Sequence, residues 1–163
     1  MTMTKEIKNK IESWKWIQGL AFDVLKMLSD EQLGLTVGKN MGTLGEQFRH
    51  VIRVRFQYVE AIENKKVDNT IEKIDPEVAK SKIKLVELWE KANEKLLAIL
   101  ENIDPNELEN SMINWKHWGV DEMNIHDHFN ALMDHETLHE GQIIVYLRSN
   151  DIKFPESWKA WGL

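Results

Sequence analysis

The apolar pattern of this 163-residue sequence predicts an all-α fold, a four-helix bundle, on three observations. Four tracts repeat apolar residues at steps of three and four, as a helix with one buried face requires. No run alternates with the period of two that marks a half-buried strand. Only eight Gly and three Pro occur, and each Pro stands at the edge of a periodic tract, where its missing N–H and fixed φ do least harm.

The first tract runs from about Thr4 to Leu28, with Ile7, Ile11, Trp14, Ile17, Leu20, Ala21, Val24, Leu25 and Leu28 in one stripe. A loop with Gly34, Gly38 and Gly42 leads to Thr43-Leu44-Gly45-Glu46, a capping box in which Thr and Glu satisfy free N–H groups at a helix start. The second tract then carries Phe48, Val51, Ile52, Phe56, Val59 and Ile62. Asp75-Pro76-Glu77 sets a capping carboxylate before a proline and opens the third tract, through about Leu100, whose apolar face includes Val78, Ile83, Val86, Trp89, Leu96, Leu97 and Leu100. A long connection from Asp104-Pro105-Asn106 contains Trp115, His117, Trp118 and Gly119. It exceeds what a bundle turn needs, so it is a candidate lid or pocket wall, with Trp118 either lining a substrate pocket or simply packing. Asn124 or Asp121 caps the fourth tract, which reaches about Arg148. The remaining tail, with Pro155, Trp158 and Trp161, is too apolar to stay in water and is expected to pack back on the bundle. Four such amphipathic helices pack as a bundle.

The length suits one domain over residues 1–163. Twenty-one Lys and Arg against 27 Asp and Glu leave a net charge of -6, which argues against a nucleic-acid partner. No stretch approaches the ~20 apolar residues of a membrane span, and the first residues hold no apolar core of a signal peptide, so a cytoplasmic protein with no membrane partner is expected. Zero cysteines exclude disulfides, Cys-ligated metals and a cysteine nucleophile; any thiol in the chemistry comes from outside.

Four of the six histidines, His126, His128, His135 and His139, fall within fourteen residues. His135 and His139 lie one turn apart on one helix face and can reach one metal ion. His128 faces a similar way but lies about 10 Å along the axis, and His126 farther still. His117, His126 and His128 read as surface or hydrogen-bonded residues. A two-His pair needs a ligand from another helix, and His50, about seven residues past the second helix's cap, is the best candidate.

His135-Glu136-Thr137-Leu138-His139 also matches the zincin pattern H-E-x-x-H, but no later His completes the metzincin form and Glu156 is a poor gluzincin ligand. Glu136 and His139 form one Glu-x-x-His, yet the second copy of a di-iron bundle is missing. A mononuclear His-rich site fits better, and imidazoles suit zinc, nickel or another borderline divalent ion. Glu136 either accepts a proton during catalysis or has a supporting, structural role. Nucleotide and dinucleotide motifs are absent.

Gly45-Glu46-Gln47-Phe48-Arg49-His50, the Trp-containing loop, Asp134-His135-Glu136-Thr137-Leu138-His139-Glu140-Gly141-Gln142-Ile143 and the tail Phe154-Pro155-Glu156-Ser157-Trp158 together resemble the DinB-like superfamily over nearly the whole chain. The resemblance implies an up-down-down-up four-helix bundle, one divalent metal held by His50, His135 and His139, and frequent homodimers. Members with assigned activities include transferases and isomerases that use low-molecular-weight thiols such as bacillithiol or mycothiol. Two classes of function follow: a metal-dependent enzyme, a thiol transferase acting on a small-molecule substrate, or a non-catalytic, metal-stabilised dimeric binding protein. A metal-dependent hydrolase is a further alternative.

Overall fold

The computed structural model describes residues 5–68 and 74–163; the expected helix start at Thr4 lies outside them. Four long helices dominate: α1 (Lys5–Met27), α3 (Leu44–Asn64), α4 (Lys82–Asn102) and α6 (Ile125–Ser149). Short helices α2 (Asp30–Leu33) and α5 (Pro105–Asn110) interrupt the connections. Each long helix touches two others, with α1 and α3 on one diagonal and α4 and α6 on the other.

Side-chain pairs give the directions. Phe48 meets Trp89, Arg55 meets Asn93 and Lys95 lies over Phe56, so α3 and α4 run parallel. His50 meets His139 and Tyr58 meets His128, so α3 and α6 are antiparallel. Lys10 contacts His126 and Asn130, while Trp14 meets Glu136, so α1 and α6 are parallel. The order is therefore up-down-down-up. One apolar cluster surrounds Trp89, Phe48 and Tyr146, and the other surrounds Trp14, Phe129 and Ile125.

Several local features differ from the sequence expectations. Asp75 does cap a turn, its carboxylate accepting from Glu77 N at 2.9 Å, but that turn is a 3-10 segment, Pro76–Lys80, and not the start of α4. Its Val78 and Ala79 are buried, so the turn folds down onto the start of α3 and the chain must bend at an extended Ser81. The first turn of α4 takes its cap from elsewhere: Asp30 of α2 accepts from Lys82 N at 2.7 Å. With α4 beginning there, Leu85, Trp89, Ala92, Leu96 and Leu100 face inward, and Ile83, expected in the core, is exposed. Helix α2 was hidden in an expected loop, although Ser29-Asp30-Glu31-Gln32 is itself a capping box with both reciprocal bonds made.

The long connection contains an antiparallel ribbon, β1 (Met112–Asn114) with β2 (Glu122–Asn124). Three residues are too few for alternation to be legible, and Ile113, at the centre of β1, is buried. Asn124, rather than Asp121, caps α6 by accepting from Asp127 N at 2.7 Å. The tail packs back as expected, with Trp158 buried and its Nε1 donating to the Leu20 carbonyl at 3.0 Å, while Trp161 remains exposed.

His128 illustrates how a buried imidazole is satisfied. Its Nε2 donates to the Tyr58 carbonyl at 2.9 Å and its Nδ1 accepts from Trp115 Nε1 at 3.1 Å, a pairing only the neutral ring can make. Burial pushes its pKa down to about 4, against the opposing pull of the Tyr58 carbonyl. Below about pH 6.5 the unfolded chain therefore binds a proton that the folded one refuses, and stability is lost as pH falls from there to about 4. Its share by pH 4 is roughly 3 kcal/mol. Urea denaturation across this range should show a shallower acid loss in His128→Gln than in the parent.

Gly45 serves close approach: a Cβ there would come within 1.9 Å of the Ala79 carbonyl oxygen. Alanine is the better helix former by about 1 kcal/mol, but forcing two backbones apart costs about 1–3 kcal/mol. The clash wins because its neighbour is backbone and cannot rotate away. Gly45→Ala should lower the midpoint of thermal unfolding, whereas the same change at Gly19, where nothing lies within 4 Å, should raise it.

Candidate metal centre

The Thr43 capping box forms as expected, with Thr43 Oγ1 accepting from Glu46 N at 3.2 Å and Glu46 Oε2 accepting from Thr43 N at 2.7 Å. It starts α3 so that His50 lies about two turns inside the helix. The hydroxyl of Tyr146, on α6, donates to the Gly42 carbonyl and ties the segment before this cap to the fourth long helix. His50 thereby faces His135 and His139 across the α3–α6 seam.

The imidazoles converge through their Nε2 atoms: His50 to His135 at 3.2 Å and His139 to His135 at 3.1 Å. Each residue offers a nitrogen within 4.8 Å of the others. Ligand atoms about 2.1 Å from a common ion stand roughly 3.0 to 3.4 Å apart, so the spacing suits one metal. The hydrogen-bond balance points the same way. Two nitrogens converge on His135 Nε2, which carries at most one proton, and His135 Nδ1 is buried without a partner. An ion that accepts the three Nε2 lone pairs resolves the convergence at His135 Nε2 and places that ring's proton on Nδ1.

The surroundings keep the rings neutral. Burial, followed by the charges of His139, Arg53 and Arg49, pushes His50 down to about 4. Burial and then His139, His50, Arg53 and Arg55 do the same to His135. His139 is also lowered by burial, against a hydrogen bond to Gln142 and the charge of Glu136, which both raise it. Its Nδ1 faces Gln47 Oε1 at 3.2 Å; donation there leaves Nε2 as the acceptor.

Glu136 points elsewhere. It is buried, with Oε1 accepting from Arg55 Nε at 2.7 Å and Oε2 accepting from Trp14 Nε1 at 3.0 Å. Arg55 continues to Asn93, whose Nδ2 donates to Gln18 at 2.8 Å, so a polar layer crosses all four long helices. Its guanidinium also lies 4.2 Å from the Trp89 ring. Arg55 and Gln47 were not singled out from the sequence. Arg55 had a signal, since it occupies a core phase beside Ile52 and Val59, where a charge demands a partner; Gln47 had none. Trp118 sits on Trp115 and Tyr58, two turns along α3 from His50. His117 is exposed, and His126 lies beside Lys10 and Glu6. Glu140, next to His139, is pushed up to about 8 by burial and by Glu136.

Removing the carboxylate strands a buried guanidinium. Glu136→Ala should therefore cost about 3–5 kcal/mol in urea denaturation. Replacing both partners, Arg55→Met with Glu136→Leu, should recover much of that loss. Unchanged stability in Glu136→Ala would show that the pair holds nothing together.

No helix of the described residues is long and apolar enough to cross a membrane. No curated protein matches the sequence. Among solved structures, the fold is similar to a DinB-like protein of Bacillus subtilis, YjoA, with a TM-score of 0.72 at 16% identity over 91% of this chain and 97% of that one. It is equally similar to a DinB-like protein of Bacillus cereus ATCC 10987, with a TM-score of 0.72 at 19% identity over 95% of this chain and 98% of that one. The family model named DinB family matches residues 3–150, so the chain belongs to the DinB family.

Proposed function

We propose that this protein is a cytoplasmic metal-dependent enzyme whose His50, His135 and His139 hold one divalent ion, zinc or nickel, and that it transfers a low-molecular-weight thiol to a small electrophile. The convergence of three Nε2 atoms, 3.1–3.2 Å apart along two contacts, carries the metal assignment. The thiol assignment rests on the resemblance to thiol-using relatives and on a chain that has no cysteine of its own. A bound divalent ion would lower the pKa of an incoming thiol and favour its thiolate.

The residues divide the remaining work. The three neutral imidazoles present lone pairs, and Gln47 fixes the ring of His139. His50 and His135 are only half-buried, which leaves the cluster approachable from solvent. With both carboxylate oxygens engaged by Arg55 and Trp14, Glu136 acts as a positioning residue that sets α6 against α3.

Tag-free protein analysed by mass spectrometry should carry near-stoichiometric metal, and the His50→Ala, His135→Ala double variant little. Conjugation of a cellular thiol to an electrophile should fall at least 100-fold in His139→Ala; undiminished turnover would overturn the transferase assignment. Protons compete with the ion for the same nitrogens, and burial holds His50 and His135 down at about 4, so metal retention should persist through mildly acidic pH and be lost as pH falls toward about 4, measured by equilibrium dialysis. Metal retention with no turnover, together with a large fall in melting temperature on chelation, would instead identify the ion as a structural staple.

A further inference from the structure

On the opposite flank of α6 from the histidines, α1, α6 and the C-terminal 3-10 segment Glu156–Trp161 enclose a cavity of about 400 Å³. That volume lies within the range of small-molecule pockets. Its walls are mainly apolar: Trp16, Ile17, Ile144, Trp158, Trp161 and Leu163. Trp16 and Trp161 stack with ring centroids 5.3 Å apart, yet they remain 50% and 57% exposed, a large area of indole left to water.

One ionisable side chain lines this cavity, Glu140. Its Oε1 is buried without a hydrogen-bond partner, and among the described residues no Lys or Arg forms a salt bridge with it. A carboxyl in an apolar wall with no cation from its own chain is complementary to a cation brought by a ligand. Tryptophan faces attract cations as well and cover apolar bodies. We infer that this cavity is a binding site for a small organic amine, its ammonium directed to Glu140 and its apolar body laid against Trp16 and Trp161.

The cavity opens on the other flank of α6 from the metal centre, with Glu140 between it and a small void beside His139 and Glu136, and the inference does not depend on the metal centre's function. The test is calorimetric titration of the protein as purified with phenethylammonium and with 2-phenylethanol, which share an apolar body and differ in charge. The amine should bind at least tenfold more tightly. Glu140→Gln should bring the two affinities together, and Trp161→Ala, at an exposed position, should weaken both. His50→Ala should bind the amine as the parent does.

Equal affinity for amine and alcohol in the parent would overturn the proposal. So would loss of amine binding in His50→Ala, which would mark the amine as a ligand of the metal centre. Burial of Trp16 and Trp161 in a dimer, seen as concentration-dependent protection from acrylamide quenching, would assign the face to a second copy instead.

Discussion

The arrangement of this bundle depends on one buried ion pair. Arg55 and Glu136 are withdrawn from water in the middle of the molecule, where an unpaired charge would cost several kcal/mol. Each must therefore find the other, and their bond is satisfied in one register of α3 against α6. The partners of the pair extend the constraint: Trp14 brings in α1, and Asn93 with Gln18 brings in α4 and closes the layer. Apolar clusters lie on both sides of it and contribute cohesion without direction.

The histidine cluster follows from that register. His50 lies five residues before Arg55, and Glu136 lies between His135 and His139, so the contact that seats the ion pair also seats the three rings across the same seam. Sliding either helix by a turn would separate the rings by about 5 Å. The ion pair also separates two roles in adjacent residues: His135 faces the neighbouring imidazoles while Glu136, about 100° around the axis, faces the core. The sequence pattern H-E-x-x-H thus has here an acid directed away from the imidazoles it accompanies.

Connections between the helices act through handed-over hydrogen bonds. Asp30 caps α4, Tyr146 holds the backbone before α3, and Trp158 reaches the carbonyl of Leu20. Each joins segments far apart in the chain, so the loops that flank the site are fixed by distant elements. The close approach at Gly45 belongs to the same design, because the 3-10 turn can seat on α3 only where no side chain intervenes.

The sequence by itself determined the number of long helices, their buried stripes and most of their caps, because apolar periodicity and capping are local. It also determined the pairing of His135 with His139, since four residues make one helical turn. The site's third member, His50, was the best candidate by its place on the second tract, but only the resemblance implied that it meets the other two, because that meeting is set by α3–α6 packing across 85 residues of chain. The start of α4 was misread at Asp75 because the local cap and proline are genuine, while the burial of Val78 and Ala79 under neighbouring elements decides where the chain bends. Ile83 left the core for the same reason. Only tertiary structure could decide that Glu136 faces Arg55 and that Trp16 meets Trp161, since non-local contacts are selected by packing and charge pairing in three dimensions.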